Sequence, residues 1–157
     1  MPNKRTQPAW LFGTFFGAGF SPVAPGTAGS LAAILIAIPL IYLGLPPWGF
    51  AVLTLAFLYP GIAAAGTVAI ESGRKDPQIV VVDEVLGQWL TLAGASHLNW
   101  QALVLGFVLF RLFDILKPPP VRQIERIPGG AGIVLDDIGA GVYAALVLAA
   151  AGWKNLY

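Results

Sequence analysis

Long uncharged runs alternate with short charged loops along this chain. Leu31 to Leu45 and Pro46 to Ile70 carry no charged residue. Val85 to Phe110 holds only His97 as an ionisable side chain, and Ile138 to Trp153 is again uncharged. A helix needs roughly 20 apolar residues to cross the hydrocarbon core of a bilayer. The run from Pro46 meets that length and the others approach it. Breakers mark the element ends. The pattern predicts a short helix over Trp10 to Phe16, then a loop rich in Gly, Pro, Ser and Thr. Thr27 or Ser30 is expected to cap the next helix, which reaches about Leu43. Gly44, Pro46 and Pro47 form a turn, followed by a helix from about Trp48 to Ser72. A polar loop covers Gly73 to Val82.

A third apolar segment starts near Asp83 and reaches about Gly94, where Ser96, His97 and Asn99 make a polar break. A fourth runs from about Trp100 to Leu116. Pro118, Pro119 and Pro120 stop it, because consecutive prolines cannot continue a helix. A Gly-rich loop extends to about Leu135, and the last helix is expected to start at Asp136 or Asp137 and end near Gly152. Acids at a helix start would suit its dipole. The third segment is the short one: Val85 to Ser96 suits a tilted or re-entrant helix buried among its neighbours. The reading is an all-α, polytopic membrane helical bundle with about five membrane-embedded segments. It forms one domain over residues 1–157, without internal repeats.

Composition supports the membrane reading. Of 157 residues, 57% are hydrophobic and 11% charged, where a soluble domain is about a quarter charged. Mean hydropathy is +0.75. So small a soluble chain could not hide this much apolar surface. No cysteine is present, which excludes disulfides, thiolate metal sites and cysteine nucleophiles. The Gly/Pro-rich stretch from Gly13 to Gly29 is no apolar signal-peptide core. A net charge of +1, without a basic run, gives no indication of a nucleic-acid partner. Nothing in the pattern fixes an oligomeric state.

Charge placement fits five crossings from a cytoplasmic N-terminus. Lys4, Arg5, Arg74, Lys75, Arg111, Lys117, Arg122 and Arg126 then lie inside, and only Lys154 lies outside, as the positive-inside rule expects. The acids Glu71, Asp76, Asp83, Glu84, Asp114, Glu125, Asp136 and Asp137 fall on the same side. His97 falls on the far side, as an interfacial polar residue.

Three acidic groups sit at helix ends on that side: Asp83-Glu84, Asp114 and Asp136-Asp137. Ionisable groups at membrane depth are costly and mark functional sites. Five carboxylates in one small bundle would repel one another without a cation, and hard oxygen ligands suit Mg²⁺ or Mn²⁺. The plainer reading is ion pairing and capping, with Asp136 as a cap and Asp114 paired to Arg111 or Lys117. Arg111, Asp114 and Lys117, spaced three apart, share one helix face. They could hold a metal ligand between two phosphate binders, or the cations could simply reach lipid headgroups. In Gly19 to Ser30, glycines would allow close backbone approach. Thr27 and Ser30 would add hydroxyls beside a helix start, where anions bind. The alternative there is a plain turn. No Gly-x-x-x-x-Gly-Lys-Ser/Thr loop occurs, so no P-loop nucleotide site is indicated.

At these segments the sequence resembles the phosphatidylglycerophosphatase A family. Four motifs carry the resemblance, in order: Ser21 to Ser30, Asp83 to Gln88 (Asp-Glu-x-x-Gly-Gln), Phe110 to Pro118 (Phe-Arg-x-Phe-Asp-Ile-x-Lys-Pro) and Gly129 to Gly141. It spans about Trp10 to Ala150. Three prolines follow Lys117 where the family pattern has Pro-aromatic-Pro. The resemblance implies a Mg²⁺-dependent phosphatase of the bacterial cytoplasmic (inner) membrane, its site facing the cytoplasm. Its substrate would be the phospholipid phosphatidylglycerophosphate, cleaved to phosphatidylglycerol and phosphate.

Metal-assisted hydrolysis then assigns Asp83, Glu84, Asp114, Asp136 and Asp137 as candidate Mg²⁺ ligands. Arg111, Lys117 and Arg126 would clamp phosphate, and Thr27 and Ser30 would bind phosphate or position substrate. The candidate catalytic residues are Asp83, Glu84, Asp114 and Asp137. Asp83 or Glu84 would act as general base, with an aspartyl-phosphate route left open. A cation- or proton-coupled transporter would need polar residues through the helix middles, which are apolar here. A non-catalytic assembly subunit is the other alternative.

Overall fold

The computed structural model describes residues 5–157. Lys4, placed on the cytoplasmic side from the sequence, lies outside the described residues. Within them the chain is all-helical. Its seven α-helices are α1 (Gln7–Gly13), α2 (Pro25–Tyr42), α3 (Pro47–Ser72), α4 (Val82–Leu92), α5 (Trp100–Leu116), α6 (Val121–Ile124) and α7 (Gly130–Trp153), with one 3₁₀ turn at Ala18–Phe20.

Three of these helices, α2, α3 and α7, are long and apolar enough to cross a membrane. Their outward faces carry large apolar side chains: Leu35 is 69% exposed on α2, Leu55 71% on α3 and Leu146 64% on α7. Such faces suit lipid, since water would make them an aggregation liability. At 11 and 17 residues, α4 and α5 are shorter. The α4 helix is only roughly 16 Å long at 1.5 Å per residue. Nearly all of it is buried, packed against α2, α3, α5 and α7.

Most long elements follow the uncharged runs. The α5 bounds match the expected Trp100 to Leu116, and Asn99 caps it by accepting the Ala102 N–H at 2.8 Å. Two expected helix starts need correction. Pro25 opens α2 at its first position, where its fixed φ fits and its missing N–H costs nothing. Thr27 and Ser30 therefore lie inside the helix and cap nothing. The α7 helix starts at Gly130, six residues before Asp136, so neither Asp136 nor Asp137 is a cap. The glycines that read as a loop serve contact: a Cβ on Gly130 would meet the Gly66 backbone nitrogen at 2.6 Å. The short α6 falls within what reads as loop.

The crossing of α4 on α7 is also a backbone-to-backbone contact. A Cβ on Gly141 would lie 2.6 Å from the Gly87 carbonyl oxygen, and one on Gly87 would lie 2.7 Å from the Asp137 carbonyl oxygen. Such separations leave no room for a side chain. Phe110 of α5, fully buried, lies against Gly87. Gly141→Ala should push the helices apart and destabilise the protein by about 1–3 kcal/mol, the usual cost of overpacking. Thermal unfolding in detergent micelles measures this; an unchanged midpoint would contradict the crossing.

Candidate active site

The crossing decides where the acids go. Asp83 lies four residues before Gly87, and Asp137 four residues before Gly141, so each is one helical turn from the contact point on the same face. Glu84 and Asp136 lie beside them. Asp114 comes from α5, one turn after Phe110. These five carboxylates, with Asp76, Arg111 and Lys117, line one cavity of about 360 Å³. Ala24, Pro25 and Gly26 at the start of α2 close one side of it.

Two cations hold the acids in place. Arg111 bridges Glu84 and Asp114, the latter at 2.9 Å. Ser30 Oγ donates to Glu84 Oε2 at 3.2 Å and to the Gly26 carbonyl at 3.1 Å. Lys117 Nζ donates to Asp136 at 2.7 Å and contacts Glu125 at 3.1 Å. Lys117 follows α5 in a left-handed conformation (φ 46°, ψ 63°), a shape costing an L-residue about 1–2 kcal/mol. Pro118 disfavours continued helix at its predecessor, and the turn carries the Lys117 side chain from α5 to α7. Burial lowers the affinity of the Lys117 amine for its proton, but the Asp136 hydrogen bond and charge outweigh this and raise it above the usual lysine range.

Asp83 and Asp137 have no cationic partner among the described residues. Asp83 Oδ1 accepts the Glu84 backbone N–H at 3.0 Å. Asp137 is buried, and its Oδ2 has no hydrogen-bond partner. Buried carboxylate oxygens without partners are costly. Six carboxyl groups facing two cations make a donor set that suits a hard divalent cation. As they stand, no three acids or histidines among the described residues form a ready-made metal cluster. Arg111 and Lys117 occupy several of the carboxylate oxygens instead.

The sequence-predicted residues divide accordingly. Asp83, Glu84, Arg111, Asp114, Lys117, Asp136 and Asp137 come together around the cavity. Ser30 reaches it through Glu84. Thr27, on α2, and Arg126, in the loop after α6, are not among the lining residues. Sequence reasoning missed Asp76 and Gln78, both in the α3–α4 loop and both facing the cavity. From the sequence Asp76 is one acid of the cytoplasmic set; a loop has no period to show which residues converge. The pairing options for Asp114 resolve to Arg111.

These features define a class: a helical membrane protein with a carboxylate-lined polar cavity closed by an arginine and a lysine. The comparisons then narrow it. The family model for phosphatidylglycerophosphatase A matches residues 11–152. A putative phosphatidylinositol-3-phosphatase from Bacteroides thetaiotaomicron is 46% identical, over 91% of this chain and 92% of the relative. Phosphatidylglycerophosphatase A from Escherichia coli is 38% identical, over 92% of this chain and 84% of the relative. The Haemophilus influenzae phosphatidylglycerophosphatase A is 37% identical, over 90% and 87%. No solved structure matches the chain. The chain belongs to the phosphatidylglycerophosphatase A family.

Lys117→Met should leave Asp136 without its cation and destabilise the protein by about 2 kcal/mol, the scale of a hydrogen bond to a charged group. The folded-state lysine holds its proton more tightly than the unfolded one, so the contribution is fully present below the ordinary value of 10.5. It is lost as pH rises from 10.5 through the raised folded value. Between pH 6 and pH 9, roughly, the stability gap between wild type and Lys117→Met should stay constant. Chemical unfolding at several pH values checks this.

Proposed function

We propose that this protein removes the terminal phosphate of phosphatidylglycerophosphate by Mg²⁺-assisted phosphomonoester hydrolysis at the cytoplasmic face of a bacterial inner membrane. The observation that carries the reading is the convergence of Asp83, Glu84, Asp114, Asp136 and Asp137 with Arg111 and Lys117 on one cavity. The named activity of the Escherichia coli and Haemophilus influenzae relatives supplies the substrate. Five membrane-embedded segments, counting α4 and α5 with α2, α3 and α7, leave the cavity at the side where the basic residues gather.

The five carboxylates would hold Mg²⁺, whose chemistry is to neutralise charge on the phosphoryl oxygens and acidify a bound water. Arg111 and Lys117 bind the phosphate oxygens and offset the charge that builds on them. Arg111 is itself steered by Glu84 and Asp114. Asp83 and Glu84 both line the cavity, and whichever of the two does not hold the metal fits a general base taking the proton from the attacking water. Ser30 orients Glu84. The outward apolar surfaces of the long helices keep the protein in the layer that holds the lipid tails, so the headgroup alone need enter the polar cavity.

A second substrate reading has its own support. The Bacteroides thetaiotaomicron relative is named for a phosphoinositide headgroup. The same acid–cation cavity would serve that phosphomonoester.

The test is phosphate release from defined lipids in detergent, with Mg²⁺ and with EDTA. Release from phosphatidylglycerophosphate should require Mg²⁺. Release from phosphatidylinositol 3-phosphate instead would select the second reading. Asp83→Asn, Asp114→Asn and Asp137→Asn should each lower kcat by about 100-fold or more. Retained activity in all three would overturn the site assignment.

A further inference from the structure

Gln88 belongs to the Asp-Glu-x-x-Gly-Gln segment, yet none of the roles above uses it. Its side chain is fully buried in α4. Neither Nε2 nor Oε1 has a hydrogen-bond partner among the described residues. A buried amide left this way costs free energy at both atoms, and an apolar side chain of similar size would avoid that cost. Gln88 lies four residues after Glu84, on the same helix face and about 6 Å away between Cβ atoms. Glu84 is the acid that Arg111 and Ser30 hold.

Arg111 has two tasks that compete. In this structure its Nη1 is given to Glu84 and Asp114. Binding a phosphoryl group in the cavity turns the planar guanidinium fork toward the ligand, and Glu84 then gives up a charged donor. Gln88 Nε2 is an unspent donor on the same face of α4. A Gln–Glu pair at this spacing is within side-chain reach.

We propose that Gln88 is a positioning residue that takes over Glu84 when Arg111 engages phosphate. Gln88 touches no reacting atom; it keeps the Glu84 carboxylate oriented in the ligand-bound state. In the ligand-free state its amide stays unpaired. This inference rests on the phosphatase reading above.

The experiment compares wild type with Gln88→Leu in detergent. The variant should unfold at or above the wild-type temperature, because it removes two unpaired buried polar atoms. Its kcat should fall about tenfold or more through lost orientation, with KM within about twofold of wild type because Arg111 and Lys117 remain. A variant with wild-type kcat would overturn the proposal. So would a variant that loses stability and activity together, which is the mark of a structural role alone. A wild type that releases no phosphate from either lipid would instead refute the phosphatase reading. Gln88 is then judged by the NMR signal of its side-chain amide, identified by its loss in Gln88→Leu. Titration with inorganic phosphate should shift that signal; a signal that stays in place would overturn the proposal.

Discussion

The close crossing of α4 on α7 at Gly87 and Gly141 sets everything else in this molecule. With side chains at either position the two helices would stand apart. The acids one turn earlier on each helix would then face different surroundings. Because the backbones meet, Asp83 and Glu84 are brought against Asp136 and Asp137. Phe110 fills the space on the α5 side and so fixes the register of Arg111 and Asp114. A short helix achieves this because it is enclosed: α4 does not need to span a membrane when four neighbours cover it.

Concentrating like charge at one end of an apolar bundle is unfavourable unless something offsets it. Part of the offset is internal. Arg111 stands between Glu84 and Asp114, and Lys117 between Asp136 and Glu125. Asp83 and Asp137 are left over, and it is these two that the crossing places nearest the contact point. This surplus of carboxylate over cation is what supports the proposal of a hard divalent cation at the site. The outward apolar faces of α2, α3 and α7 suit a substrate drawn from the lipid layer, as the proposed function requires.

Much of this was legible in the sequence. The uncharged runs gave the long helices, and Asn99 and the three prolines bounded α5 well. The helix-borne acids and cations of the cavity were identifiable because each stands toward the polar end of an apolar run. What was not legible had physical causes. Glycine in Gly129 to Gly132 has the same composition whether it makes a loop or a close helix contact, so the start of α7 was placed too late. Asp76 and Gln78 sit in a loop, where no period reveals a shared face. Thr27 was paired with Ser30 by chemistry, yet on α2 it is Gly26 and Ser30, four apart, that share a face toward Glu84. Gln88 stood in a recognisable motif, but only three-dimensional burial showed that its amide is unpaired.

The most direct test of the central claim is an experimental structure determined with Mn²⁺ and inorganic phosphate, located by anomalous scattering. The account predicts Mn²⁺ between α4 and α7, bound by oxygens of Asp83 and Asp137, with phosphate against Arg111 and Lys117. Metal and phosphate bound elsewhere, or α4 and α7 separated at Gly87 and Gly141, would contradict it.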